Sequence, residues 1–275
     1  MDVSIIIVNY NTYQLVLDCI KSIYLHTKNI DFEIIVVDNN SPNREIEKLN
    51  QVFPDVKLLL SKNNNGFGSA NNFGAKQAKG KYLFLLNSDT LLLDNSLIDF
   101  YNFMEKTPDA GVCGGNLLDI NLKPSISFEI RKPCVIYTLS KFTYNKLFKI
   151  VYNNNIFYDL ESTKPYPIKG YTSGADFFTR KTIFDKVNGF DEDFFMYYEE
   201  TELTYRINQL GYKTYFIPYI KIIHLAEGSL NSMNKIKEGW IKDSMKLYYK
   251  KTKTTGYLFD KLFISIKYFK DRMKW

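Results

Sequence analysis

The stretch Lys81-Tyr82-Leu83-Phe84-Leu85-Leu86-Asn87-Ser88-Asp89-Thr90 is an unbroken apolar run that ends abruptly in a polar cluster. Such a run predicts a buried parallel strand that brings Asp89 to the carboxyl edge of a sheet, where open α/β sheets bind their ligands. Carboxylate, amide and hydroxyl oxygens side by side suit Mg²⁺ or Mn²⁺ held against a diphosphate. Taken alone, the cluster would more simply cap the following helix. The rest of the chain favours a ligand site.

Three apolar runs precede this strand, and each is followed by a polar loop and a helical pattern. The runs are residues 4–8, 33–37 and 56–60. In the second loop, Ser41 is expected to cap a helix that has Pro42 at its first position. Strands that alternate with helices at this pace predict the α/β class, with a mostly parallel, Rossmann-like central sheet flanked by helices.

The loops at the predicted sheet edge carry side chains that suit a nucleotide. Asp38 ends the second strand and could accept the N3–H of a uracil or thymine ring. Asn65, Gly66 and Gly68 let backbone amides approach a phosphate at a helix N-terminus. Each loop could be an ordinary turn, but three polar clusters at one edge favour binding. The loop after the first strand is not GxGxxG and the chain has no GxxxxGK[ST], which disfavours dinucleotide binding and P-loop phosphoryl transfer.

Secondary structure is hardest to assign between residues 117 and 168, which are rich in Asn, Lys, Tyr and Pro. We expect this segment to shape the acceptor side of the cleft. A predicted strand over residues 170–178 contains Asp176 and small residues where another group approaches closely. A short helix over residues 182–187 then ends at Asn188-Gly189.

Residues 190–203 combine acidic and aromatic side chains and lead into a predicted helix. On that helix Glu199 and Glu202 share one face, whereas Glu200 lies about 100° around the axis. One acid can therefore point into a cleft while another braces a loop or pairs with Arg206. Acids in a first turn also simply complement the helix dipole. Two adjacent acids beneath an aromatic cluster favour a functional role.

Two strand-like runs follow, over residues 213–217 and 219–224. His224 ends the second run, a position from which an imidazole could reach a metal or a diphosphate. The chain has two histidines. We assign the other, His26, to a helix end with no role in the site.

The composition is that of a globular protein. With 275 residues, 45% of them hydrophobic, the chain can bury a large core. Its three cysteines are widely spaced, which predicts neither a disulfide framework nor a cysteine metal site and favours a reducing cytoplasm. We find no signal peptide and no apolar run of about 18 residues, so we expect no membrane-spanning helix.

The net charge of +6 is concentrated in the tail. Residues 235–275 carry twelve Lys or Arg and four Asp or Glu, a local +8 that leaves −2 for everything before. In residues 257–275, apolar and basic side chains recur at helical spacing, which is typical of a helix on an anionic membrane surface. The alternative is a helix that packs on the rest of the chain or on a second subunit. Nucleic acid binding is not expected, because the remaining chain is slightly acidic.

Together, six ordered motifs resemble the inverting family 2 glycosyltransferases of the GT-A fold, especially the bacterial branch that includes rhamnosyltransferases. The motifs are VNYNT at 8–12, VDNNS at 37–41, NGFG at 65–68, NSD at 87–89, GFDEDFF at 189–195 and YEETEL at 198–203. The resemblance covers residues 3–229. It implies a transferase domain over 1–230, with a nucleotide-sugar-binding half (1–116) and an acceptor or catalytic half (117–230), and a basic amphipathic helical extension over 231–275.

The resemblance also implies roles for the candidate residues. Asp89 would hold a divalent cation, Mg²⁺ or Mn²⁺, on the donor diphosphate, and His224 would complete this metal site or the phosphate site. Glu200 would be the general base. Most members of the family have Asp at the base position, and Asn87 replaces the first acid of the DxD motif. The implied donor-binding residues are Val8, Asn9, Tyr10, Asp38, Asn65, Gly66, Asn87 and Ser88. The implied acceptor-side candidates are Asp176, Glu199 and Glu202.

The implied activity is inverting, metal-dependent sugar transfer in surface polysaccharide synthesis. A carboxylate removes the proton of the acceptor hydroxyl as its oxygen attacks the anomeric carbon, and the cation neutralises charge on the leaving nucleoside diphosphate. An ordinary Glu pKa is expected to suffice for this base. The donor would be dTDP-rhamnose or a UDP-hexose, and the acceptor a glycan or lipid-linked glycan.

Two other function classes stay open at this point. A nucleotide-sugar pyrophosphorylase would need a Gly-rich, Arg-containing loop after the first strand, which this chain lacks. A catalytically silent module that stabilises a partner transferase would bind nucleotide without turnover. The joint presence of Asp89, Glu200 and His224 favours the enzyme. We expect a cytoplasmic protein that is peripheral on the inner membrane face if the tail binds lipid, with a homodimer as a candidate assembly.

Overall fold

The computed structural model of the chain describes residues 1–129, 132–133, 163–225 and 234–253. Its first half alternates strands and helices, as the sequence predicts. The strands are β1 (Val3–Asn9), β2 (Phe32–Asp38), β3 (Lys57–Leu60), β4 (Tyr82–Asn87), β5 (Thr90–Leu92) and β6 (Ala110–Leu118). The helices are α1 (Tyr13–His26), a 3₁₀ helix (Arg44–Lys48), α2 (Leu49–Val52), α3 (Phe67–Ala75) and α4 (Ser96–Lys106).

Among the described residues, the second half adds short strands, one long strand and three helices. The strands are β7 (Phe128–Glu129), β8 (Tyr166–Ile168), β9 (Tyr171–Thr172), β10 (Asp176–Arg180) and β11 (Lys213–His224). The helices are α5 (Lys181–Lys186), α6 (Glu199–Gln209) and α7 (Asn234–Thr252). The single strand predicted over residues 170–178 is therefore two strands, β9 and β10.

Among the described residues, nine strands form one sheet in the order β3-β2-β1-β4-β10-β6-β11-β5, with β8 paired to β11. The first four strands of this order pair in parallel, as predicted. β10 runs antiparallel to both β4 and β6, and β11 runs antiparallel to β5 and β8. The α/β class is confirmed, but the sheet is mixed. Alternation of strands and helices sets direction only where a helix links neighbouring strands, and β10 lies between two strands that precede it in the chain.

The core occupies both faces of the sheet. Along β1, Ile5 and Ile7 face one hydrophobic cluster and Ile6 faces the other, and all three are fully buried. α1 and α4 cover the first face, whereas α3, α5 and α6 cover the second. Each fully buried Ile contributes roughly 1.5–3 kcal/mol. A strand that is covered on both faces reads as a continuous apolar run, which explains why the central strands are so clear in the sequence.

Two local predictions differ from the structure. The predicted strands over residues 213–217 and 219–224 are one strand, β11, with a register shift between Ile217 and Lys221. Pro218 lies at this irregularity, where a missing backbone N–H is tolerated. Ser41 does not cap a helix, because its hydroxyl donates to Asp38 and the 3₁₀ helix begins after Asn43.

The C-terminal extension is helical in the part that the structure describes. α7 packs on the segment before α6, where Tyr248 and Tyr249 are buried against Phe194. The amphipathic stretch predicted over residues 257–275 lies outside the described residues. Within the described ranges, no helix is both long enough and apolar enough to cross a membrane.

Candidate active site

A cavity of about 600 Å³ opens at the carboxyl ends of β1 and β4. Val8 and Asn87 line it from the strand ends, and Tyr10, Ser88 and Asp89 line it from the loops that follow. α6 and α7 supply further lining residues. The edge that the sequence predicted for ligand binding is therefore the rim of a cavity of ligand size.

Asp89 and His224 meet in this cavity. A tight turn after β4 places Asp89 directly before β5, and β11 pairs with β5 so that His224 lies opposite Thr90. The Nε2 atom of His224 is 3.4 Å from Oδ1 of Asp89, and the Asp89 side chain is 8% exposed. The structure thus brings the two predicted metal ligands together.

The pair by itself is not a complete metal centre. Among the described residues, no group of three or more His, Cys, Asp or Glu side chains could hold a metal ion. One carboxylate and one imidazole fit a cation that takes its remaining ligands from a bound diphosphate, since Mg²⁺ is commonly held by few protein ligands and substrate phosphates.

Glu200 lines the cavity from the first turn of α6. Its Oε1 accepts a hydrogen bond from the Thr201 hydroxyl at 3.3 Å. Burial raises the pKa of Glu200 to about 7. The expectation of an ordinary carboxyl pKa is therefore wrong, because desolvation disfavours the charged form. The higher pKa makes Glu200 a stronger base at neutral pH.

Glu199 also lines the cavity, and its side chain is less exposed than that of Glu200. The side chain is 4% exposed, and its Oε2 has no hydrogen-bond partner among the described residues. Burial, and then the charge of Glu200, raise the pKa of Glu199 well above its usual range. Glu199 and Glu200 are therefore coupled acids, and one favours the neutral form of the other.

Two acids predicted for the acceptor side do not line the cavity. Both oxygens of Glu202 accept hydrogen bonds from Arg206, at 2.6 to 2.9 Å. The same guanidinium donates to the carbonyls of Val187 and Gly189. Glu202 therefore pairs with Arg206 and, through it, braces the loop after α5. Helix geometry had predicted such a role for one of the acids of α6. Asp176 is fully buried in β10, where Oδ2 accepts from the backbone N–H of Gly115 at 2.6 Å.

Some of the residues predicted to bind the nucleotide line the cavity, and others do not. Val8, Tyr10, Gly66, Asn87 and Ser88 lie on the cavity wall. Asn9, Asp38 and Asn65 are not among the lining residues. Asp38 accepts hydrogen bonds from Asn9 and Ser41 and is 6% exposed. Its carboxylate is held within the loop.

Lining residues that the sequence analysis missed come from neighbouring positions and from a distant helix. Asn39 and Asn64 line the cavity beside the predicted Asp38 and Asn65. Lys237 and Trp240 reach it from α7. Periodicity is absent in loops and does not indicate which loop residue faces a cavity, and no sequence motif connects α7 to the strand ends.

A comparison with known families identifies the chain. The model described as glycosyl transferase family 2 matches residues 4–187, which include β1 to β4 and the Asn87-Ser88-Asp89 turn. The chain belongs to glycosyl transferase family 2. The recognition made from the six motifs is therefore confirmed at the level of the family.

Two curated relatives show how far the similarity of this family 2 glycosyltransferase extends. It is 32% identical over 160 residues to the poly(ribitol-phosphate) β-glucosyltransferase of Bacillus spizizenii, which covers 54% of this chain and 25% of the relative. It is 26% identical over 220 residues to the rhamnosyltransferase WbbL of Escherichia coli, which covers 76% of this chain and 79% of WbbL. The chain thus spans only a quarter of the first relative.

The fold of this family 2 glycosyltransferase also matches solved structures. The structure of GalNAc-T7 with UDP, GalNAc and Mn²⁺ aligns over 90% of this chain and 50% of that chain, with a TM-score of 0.63 and 18% identity. At this identity the likeness shows the fold alone. The predicted GT-A fold is confirmed.

Proposed function

We propose that this glycosyltransferase moves a sugar from a nucleoside diphosphate donor to a hydroxyl of a glycan acceptor, with inversion at the anomeric carbon. The observation that carries the proposal is that Glu200 and the Asp89 and His224 pair line one cavity at the carboxyl ends of β1 and β4. A base and a diphosphate-binding pair in one cavity are what a single displacement requires.

Glu200 acts as the general base in this proposal. Its carboxylate accepts the proton of the acceptor hydroxyl, whose oxygen forms a bond to the anomeric carbon while the bond to the nucleoside diphosphate breaks. A pKa of about 7 supports the role, because a base is most effective when its pKa lies near the working pH. One displacement of this kind inverts the anomeric configuration.

Asp89 and His224 would hold a divalent cation, Mg²⁺ or Mn²⁺, together with the donor diphosphate. The carboxylate oxygen and the imidazole nitrogen face each other across 3.4 Å, which suits two ligands of one ion. When bound, the cation stabilises negative charge on the leaving diphosphate. Mn²⁺ in the structure of GalNAc-T7 is consistent with this assignment.

The donor is proposed to be dTDP-rhamnose or a UDP-hexose, bound mainly by the half of the domain formed by residues 1–116. The acceptor, a glycan or lipid-linked glycan of a surface polysaccharide, would be bound mainly by residues 117–230. The names of the rhamnosyltransferase WbbL and the poly(ribitol-phosphate) β-glucosyltransferase support these two donor classes. The basic residues within 257–275 support contact with an anionic membrane surface, where a lipid-linked acceptor would lie.

Calorimetry with dTDP and UDP, each in Mn²⁺ and in EDTA, tests the site. We expect one nucleotide to bind in Mn²⁺ and to lose its affinity in EDTA. Turnover is then measured as release of nucleoside diphosphate from dTDP-rhamnose, UDP-glucose, UDP-galactose and UDP-GlcNAc. Binding without turnover of any donor would favour the silent nucleotide-binding module, and binding of neither nucleotide would overturn the proposal.

A further inference from the structure

Helix α7 contacts the segment that leads into the proposed base. We call residues 191–198, which run up to the first residue of α6, the pre-helix segment. α7 meets this segment along most of its own length, through side chains from its first turns to its last. The family match ends at residue 187, so both the pre-helix segment and α7 lie outside the matched residues.

The contacts nearest the cavity come from the N-terminal and middle turns of α7. The ring of Trp240 lies 5.1 Å from the ring of Phe195, and Nζ of Lys237 lies 5.8 Å from the ring of Tyr197. Ser244 is 6% exposed, and its hydroxyl donates to the carbonyl of Met196 at 2.8 Å. Of these contacts, the Ser244 hydrogen bond holds the backbone itself.

The second half of α7 anchors the far end of the pre-helix segment. Tyr248 and Tyr249 are buried in one cluster with Phe194. Nζ of Lys251 lies 2.5 Å from carboxylate oxygens of both Asp191 and Asp193. Together with the contacts of Lys237, Trp240 and Ser244, these fix the segment at several points along its length.

The pre-helix segment needs such support because its backbone is strained. Tyr197 and Tyr198 have φ angles of 69° and 68°, in the left-handed region that non-glycine residues rarely adopt. Strained backbone of this kind persists only where the surroundings over-determine it, and it concentrates at functional sites. Glu199 and Glu200 follow directly, so the conformation of this pair of tyrosines sets the direction in which α6 begins.

We propose that α7 holds the base in position, and that Ser244 is the positioning residue whose hydrogen bond to Met196 fixes the turn before Glu200. This inference rests on the proposed function for its effect on transfer, but the conformational effect stands without it. Ser244 acts through the backbone of the turn and does not touch the substrate. A carboxylate that must reach a hydroxyl proton is sensitive to displacements of about 1 Å.

The test compares the full-length wild type with Ser244→Ala, Ser244→Thr and Asp243→Ala. The threonine variant keeps the hydroxyl, and Asp243, whose side chain is 75% exposed, is a neighbouring control on the same helix. Hydrogen exchange of peptides over residues 191–202 is measured first, with peptides over β1 and β4 as a check that the fold is intact. Ser244→Ala should exchange about tenfold faster over residues 191–202 alone, which corresponds to the loss of one hydrogen bond.

Kinetics supply the second measurement. In Ser244→Ala, kcat for release of nucleoside diphosphate should fall about tenfold or more, while the Kd for the bound nucleotide stays within about twofold. Ser244→Thr should restore both kcat and slow exchange, and Asp243→Ala should match the wild type. If Ser244→Ala exchanged as slowly as the wild type over residues 191–202, the inference would be overturned. If the wild type turned over no donor, the proposed function would fail while the exchange experiment still decided the role of α7.

Discussion

The imidazole Nε2 of His224 lies 3.4 Å from the Oδ1 atom of Asp89, although the two residues are far apart in the chain. Backbone pairing produces this contact. β11 runs antiparallel to β5, and the N–H of Leu225 donates to the carbonyl of Asp89 at 2.9 Å. Because sheet hydrogen bonds hold both residues, either side chain can be replaced without loss of the fold.

Substitution Asp89→Asn should abolish cation-dependent nucleotide binding. The change removes the negative charge of the pair and keeps the shape of the side chain, so the fold is retained. We expect calorimetry in Mn²⁺ to show the weak binding that the wild type shows in EDTA. Asp18→Asn, on the exposed side of α1, is a charge-matched control and should bind as the wild type does. Full affinity in Asp89→Asn would remove Asp89 from the proposed cation site.

Substitution Glu200→Gln should eliminate transfer and spare nucleotide binding. An amide cannot accept the proton of the acceptor hydroxyl, and general-base catalysis is worth about 10²- to 10⁴-fold in rate. Turnover and calorimetric Kd are measured on the same preparation. Glu238→Gln, an exposed acid on α7, serves as the control for loss of a charge. Unchanged transfer in Glu200→Gln would reject the base assignment.

The rate of transfer should rise with pH through the pKa of Glu200. Burial raises this pKa to about 7, and the neighbouring acid Glu199 is itself shifted upward. Below about pH 7 the base is protonated, so kcat/KM should fall about tenfold for each pH unit. A pH profile of nucleoside diphosphate release checks this. A plateau that extends down to pH 5 would show that the base has an ordinary carboxyl pKa.

Substitution Glu199→Gln should stabilise the protein more at pH 8 than at pH 5. Burial raises the pKa of Glu199 in the folded state, so the folded chain binds more protons than the unfolded chain above about pH 4.5. Stability therefore falls as pH rises, and an uncharged side chain removes that loss. We expect the Tm at pH 8 to rise by a few degrees, at roughly 2–4 °C for each kcal/mol. If the Tm of the variant at pH 8 were equal to or lower than that of the wild type, the raised pKa of Glu199 would be contradicted.

Substitution Arg206→Leu should destabilise the fold by about 3–5 kcal/mol, because it leaves the carboxylate of Glu202 buried without a partner. The Glu202 side chain is 5% exposed and that of Arg206 is 27% exposed. Urea unfolding measures the change. The double variant Glu202→Leu/Arg206→Leu should recover part of the loss, since it removes the stranded charge. An Arg206→Leu variant as stable as the wild type would show that the ion pair is not structural.

The sequence by itself determined the features of the protein that depend on the local pattern of apolar and polar residues. The central strands are apolar runs because both faces of β1 and β4 are buried, and each run ends in a polar loop because the chain leaves the core there. Asp89 was singled out in this way, because it follows the end of an apolar run. Glu200 was selected among the acids of its helix by the resemblance to the family and not by local pattern. Helical spacing also predicted that Glu202 could pair with Arg206.

Only the tertiary structure decided which distant residues meet. The antiparallel placement of β10, the contact of His224 with Asp89 and the contribution of α7 to the cavity depend on pairing between segments far apart in the chain. No local pattern encodes such pairing. The raised pKa of Glu200 is also decided only by the tertiary structure, because desolvation depends on which residues cover a side chain and not on its neighbours in sequence.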